Sequence, residues 1–166
     1  MQTIEILDIK PFMQLIFQTD QFDGYDFVSA DIRTDISCTL DGHLNTDFFS
    51  NEELEHPFLF GHSYLPWNMA KEKVFSLIKG KRTPSLLKIV LKSSDANTQA
   101  LLASTASSLH PKDIDGMFVN ILFQNQQLHV ICGVAYHIYT LEKELEEELR
   151  TSVVNLLKQQ QITCSP

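Results

Sequence analysis

A chain of 166 residues, 43% hydrophobic and 10% aromatic, has the length and composition of one folded domain and excludes a disordered polymer. No apolar run approaches the roughly 20 residues needed to span a bilayer, so no membrane partner is expected. The net charge of −8 conceals a block: between residues 71 and 92 lie Lys71, Lys73, Lys79, Lys81, Arg82, Lys88 and Lys92, opposed only by Glu72, a local +6 that leaves −14 on the remainder. A concentrated basic patch on an acidic protein can attract an anionic partner locally.

Residues 1–10 carry Glu5 and Asp8 and lack a basic stretch followed by an apolar one, so no secretory leader is expected. Cys38, Cys132 and Cys164 are odd in number and form no C-x-x-C pair. A reduced, cytoplasmic setting is the expectation.

Residues 3–7 alternate as a short strand. Pro11 suits a first helical turn, and Phe12, Leu15 and Ile16 follow helical spacing, before Phe22-Asp23-Gly24 closes the helix. Residues 25–32 and 35–40 read as paired strands around Arg33-Thr34. Asp41-Gly42 then turns the chain into an extended piece over 44–49. The acidic stretch 50–60 reads as a mobile loop. Residues 66–79 predict an amphipathic helix with Trp67, Ala70, Val74, Leu77 and Ile78 on one face, Trp67 as its core anchor and Gly80 as its stop.

The pattern then begins again. Residues 86–91 are apolar and β-rich, Ser94 can cap a helix, and Ala100, Leu101 and Ala103 supply that helix's buried side. A loop through His110-Pro111 to Asp115-Gly116 leads to strands over 117–123 and 128–132, joined by the polar run 124–127, and 135–139 continues the meander. A last helix over 141–160 carries Leu141, Leu145, Leu149, Val153 and Leu156 as its stripe, with Glu142, Glu144 and Glu146 near its start, where the helix dipole favours negative charge.

The reading is a single α+β domain of two pseudo-symmetric β-α-β-β-β units forming antiparallel sheet. The first unit covers about residues 2–49 and the second about 85–140, with a loop and inserted helix at 50–80 and a C-terminal helix at 141–160. A β-α-β-β-β unit occurring twice resembles the repeated unit of DNA sliding clamps, carried here by the rhythm of residues 115–132. A ring around duplex DNA would need basic helices. The first helix offers only Lys10 with Gln14 and Gln18, and the second carries Asp95 and no cation, so the resemblance implies the fold and not the ring. Separately, Ile78-Lys79-Gly80-Lys81-Arg82-Thr83-Pro84, with Leu40-Asp41-Gly42-His43 and Asp47-Phe48-Phe49, resembles an uncharacterised bacterial family of unknown function.

The candidate anion-binding residues are Lys79, Lys81, Arg82 and Thr83, with Lys71, Lys73 and Lys88 beside them. Gly80 would let backbone amides approach a phosphate held by three cations and a hydroxyl. The bland alternative is dipole complementation by Lys79 and neutralisation of the block by Glu142 to Glu148, within the fold or across a dimer. Cys38 and His43 share a five-residue spacing with Cys132 and His137, a set that would suit tetrahedral zinc, but residues five apart on a strand point to opposite faces. No Walker, Rossmann, H-E-x-x-H or G-x-S-x-G motif is present, so no catalytic residue, metal or cofactor is expected. The expectation is a non-catalytic binding or assembly module for nucleic acid or a phosphorylated ligand. The alternatives are an enzyme with a pocket between the two units and a structural homodimer through the last helix.

Overall fold

The computed structural model describes residues 2–165. Eight strands form one antiparallel sheet: β1 (Gln2–Ile6), β2 (Tyr25–Arg33), β3 (Ser37–Asp41), β4 (Leu65–Pro66), β5 (Leu86–Ser93), β6 (Ile114–Gln124), β7 (Gln127–Tyr136) and β8 (Cys164–Ser165). The order across the sheet is β3-β2-β5-β6-β7-β1-β8, with β4 also paired to β2. Five helices accompany it: α1 (Ile9–Gln18), α2 (Asn51–Glu55), α3 (Trp67–Ile78), α4 (Asp95–Ala103) and α5 (Glu144–Gln159). The protein is an α+β fold. Among the described residues no helix is long and apolar enough to cross a membrane.

Period-two alternation in the central strands decides which face is covered. Leu87, Ile89 and Leu91 of β5 are buried, as are Val119 and Ile121 of β6 and Leu128, Val130 and Cys132 of β7. Their neighbours Val90, Phe118, Leu122 and Ile131 remain half-exposed on the opposite face. The β6–β7 hairpin closes through Asn125 and Gln126 at φ 53° and 61°, a two-residue turn whose twist matches that of paired strands.

The helices supply the other wall of a single core. Phe12, Leu15, Ile16 and Phe17 of α1 join Trp67, Ala70 and Val74 of α3. Trp67 is the expected anchor: it is fully buried, its Nε1–H donates to the Ile16 carbonyl at 3.1 Å, and its ring lies 5.6 Å from Phe17 and 5.9 Å from Phe27. Leu145, Leu149, Val153 and Leu157 of α5 are spent in the same core.

Both halves run strand, helix, strand, strand: β1-α1-β2-β3 and β5-α4-β6-β7. The two are knitted together because β1 pairs with β7 and β2 with β5. Gly42 sits at a tight crossing beside the β2 bulge between Phe27 and Ser29. Its amide donates to the Val28 carbonyl at 2.8 Å and its carbonyl accepts from Leu65 at 2.9 Å. A Cβ there would overlap the Phe27 carbonyl, so glycine is required sterically.

Several local expectations are corrected. Residues 44–49 are not extended: the Asn45 side chain accepts from the Asp47 amide and starts a 3-10 turn over Thr46–Phe48. The acidic stretch 50–60 is not all loop, because Ser50 and Glu53 form a reciprocal capping box that starts α2. In α4 the buried side chains are Thr98 and Leu102, not Ala100 or Ala103, and Leu101 is only partly buried. The strand expected at 128–132 runs unbroken as β7 to Tyr136. Leu141 lies outside α5 and 77% exposed, and Leu157 rather than Leu156 completes the buried i, i+4 stripe.

Candidate functional site

α3 delivers the basic block to one end of the sheet. Its last hydrogen bond runs from the Lys79 amide to the Phe75 carbonyl at 2.9 Å, after which Lys79 is extended and Gly80 adopts φ 156°, a conformation that side chains disfavour. The chain re-enters the sheet at Ser85, whose amide donates to the Arg33 carbonyl at 2.9 Å. Lys79, Lys81, Arg82 and Thr83 are all exposed on this connection. Among the described residues none of these three cations has a carboxylate partner.

The other cations of the block divide differently. Lys71 donates to Asp23 Oδ1 at 2.9 Å and to the Thr19 carbonyl at 3.0 Å, so it is held inside the fold. Lys88 stands opposite Asp31 across β5 and β2, and Lys92 opposite Asp26. Lys73 is exposed on α3. The sequence-derived set therefore separates into Lys79, Lys81, Arg82 and Thr83 on one connection, Lys73 apart from them on the helix, and Lys71 and Lys88 beside the protein's own carboxylates. Arg33, exposed at the end of β2 where the loop is anchored, joins the loop. Sequence reasoning missed it because only strand register brings it there.

Two of the glutamates near the last helix engage other groups within the fold. Glu142 accepts from the hydroxyls of Ser107 and Ser108, which holds its carboxyl below the ordinary value. Glu146 is buried, with Lys143 Nζ 3.9 Å away.

Two cavities lie apart from this connection, with none of Lys79, Lys81, Arg82 or Thr83 on their walls. One, of about 350 Å³, is lined by Asp26, His62 and Tyr64 together with Lys92, Ser94 and Asp95. His62 Nδ1 lies 2.9 Å from Asp26 Oδ1, and both side chains are largely buried. Burial raises the Asp26 carboxyl above its ordinary value against the pull of His62 and Lys92. This cavity joins β2 of the first half to the β5–α4 junction of the second. The other, of about 440 Å³, is apolar and lies between the end of β3 and α3, with Leu40, Leu44, Phe48, Met69, Lys73 and Leu77 among its walls.

A model of a family of unknown function, DUF5721, matches residues 14–165. The chain belongs to that family. The match bears out the resemblance to a family without an assigned activity. No curated protein and no solved structure matches, so the likeness to sliding-clamp units rests on element order alone.

The cysteine–histidine set is not brought together. Cys38 on β3 and Cys132 on β7 are separated by β2, β5 and β6, roughly 19 Å at about 4.8 Å per strand. His43 Nδ1 instead lies 2.6 Å from Asp41 Oδ1, and His137 lies 3.6 Å from Asp115. Among the described residues no three His, Cys, Asp or Glu side chains are grouped to hold a metal ion.

Proposed function

We propose that this protein is a non-catalytic binding or assembly module that holds an anionic partner, nucleic acid or a phosphorylated ligand, on the connection from α3 to β5. The observation that carries the reading is the split within the basic block. Lys71 is ion-paired to Asp23, and Lys88 and Lys92 stand opposite Asp31 and Asp26 in the strand register, whereas among the described residues Lys79, Lys81 and Arg82 are exposed with no carboxylate opposite or bound to them. Two lysines and a guanidinium on a short connection, with the Thr83 hydroxyl and Arg33 alongside, supply charge and hydrogen-bond donors suited to phosphate oxygens. Lys73 extends the surface along α3. The three free cysteines suit a reduced, cytoplasmic setting. Titration of oligonucleotides and phosphorylated metabolites at two salt concentrations tests the reading. Salt-sensitive binding that weakens in Lys81→Ala/Arg82→Ala supports it, and absence of such binding rejects it.

A second reading is an enzyme using the cavity between the two halves. Its support is the Asp26–His62 pair: with Nδ1 engaged, Nε2 is left as the nitrogen available to a ligand. A thermal-shift screen in which a neutral metabolite stabilises the protein, while nucleic acid does not, would favour this reading.

A further inference from the structure

We infer that the apolar cavity between β3 and α3 is a peptide-binding groove. It would receive an extended segment of another protein that adds to the β3 edge, with a large apolar side chain entering the cavity and a carboxylate two positions along meeting Lys73. Among the described residues β3 ends the strand order, so alternate backbone amides and carbonyls along it point away from β2 with no described strand to receive them. Beside that edge lies a cavity of about 440 Å³, walled by Leu40 of β3, Leu44 and Phe48 of the following turn, and Met69 and Leu77 of α3. Phe48 is 78% exposed at its rim, a large apolar ring in water with room beside it.

The combination selects the class of occupant. A strand edge recognises extended backbone whatever its sequence, and a pocket beside it reads alternate side chains, which in a strand project to the same side. Lys73, exposed and without a carboxylate partner among the described residues, is the cation of the block that lines the cavity. The Asp41 carboxylate is already engaged by the His43 amide at 2.9 Å and by its ring nitrogen. Asp41 stays ionised at the end of β3, so the positive charge belongs to the α3 wall alone, at Lys73. An acidic side chain on the cavity-facing side of the incoming strand answers it. The apolar walls disfavour nucleic acid here, and the inference does not depend on the Lys79–Arg82 reading, whose cations lie outside the cavity.

The test is selection from a displayed library of random peptides of about eight residues, long enough to span β3, followed by an N-methyl scan of the best binder. Enrichment of a large apolar residue with Asp or Glu two positions away is expected. N-methylation should abolish binding at every second position, because only alternate amides face the edge. Hydrogen exchange should slow within β3 on binding. Lys73→Glu should weaken binding roughly tenfold and reverse the charge preference, and Leu77→Glu should abolish it, both in proteins that keep the wild-type circular dichroism spectrum. Lys81→Ala/Arg82→Ala should leave it unchanged, so failure of the loop reading and failure of this one are separately visible. No enrichment, N-methyl sensitivity without period two, protection away from β3, or a library-free self-association that Leu77→Glu abolishes would each overturn the proposal.

Discussion

The Lys71 ammonium is bound between Asp23 Oδ1 at 2.9 Å and the Thr19 carbonyl at 3.0 Å, tying α3 to the turn that follows α1. A cation held by a half-buried carboxylate and a backbone oxygen is a structural group, whatever the sign of its neighbours in sequence. Lys71→Ala should therefore lower stability by roughly 1–2 kcal/mol while leaving anion binding as it was. Lys81→Ala/Arg82→Ala should do the reverse. Urea denaturation beside a binding titration separates the two effects.

Gly42 is the position where backbone geometry is least forgiving. A methyl group there would overlap the Phe27 carbonyl at the β2 bulge, and neither strand can move without breaking the hydrogen bonds from the Gly42 amide to the Val28 carbonyl and from the Leu65 amide to the Gly42 carbonyl. Gly42→Ala should cost about 1–3 kcal/mol, read as a lowered thermal midpoint. Gly24→Ala, with nothing within 4 Å of the added carbon, is the control and should be far milder.

Asp26 makes the buried pocket sensitive to pH with a defined sign. Burial raises its carboxyl above 3.8, His62 and Lys92 oppose that rise, and Asp95 reinforces it. The folded state then holds a proton that the unfolded state has lost, so this group's contribution to stability falls as pH rises from 3.8 through the folded value. Relative to Asp26→Asn, the wild type should lose stability across that window and run parallel above it. A difference that moved the other way would show that the charged carboxylate is favoured on folding.

Glu142 acts in the opposite direction. Hydrogen bonds from the Ser107 and Ser108 hydroxyls hold its carboxyl below 4.5, so its contribution is present above that value and is lost as pH falls through the folded one. Glu142→Gln should remove part of the acid sensitivity of the wild type and leave the neutral-pH slope untouched. Urea midpoints measured from neutral to acid pH check this.

Most elements were legible because apolar spacing is a local property. Trp67, Ala70 and Val74 announce α3, and the alternation around Leu87 and Ile89 announces β5. The misses have identifiable causes. The Ser50-to-Glu53 spacing is a capping signature, but the acidic composition around it favoured a loop. Leu141 extends the leucine pattern past the true helix start, because four-residue spacing alone does not say which turn packs. Pairings of β1 with β7 and β2 with β5 join residues far apart in sequence, and one sequence carries no record of such contacts. The same distance hid the partners that sort the basic block. Lys71 and Asp23 are 48 residues apart, and His62 and Asp26 are 36 apart. Arg33 escaped notice because it belongs to a hairpin by sequence and to the basic loop only through Ser85.

The most direct measurement is the salt dependence of binding to a fluorescent single-stranded oligonucleotide, compared between wild type and Lys81→Ala/Arg82→Ala. If the loop contacts phosphates, the logarithm of the wild-type affinity falls linearly with that of salt concentration, and the double variant has a slope shallower by about 1.5. Binding with the same slope in both proteins, or none at low salt to this probe or to phosphorylated metabolites, would contradict the account.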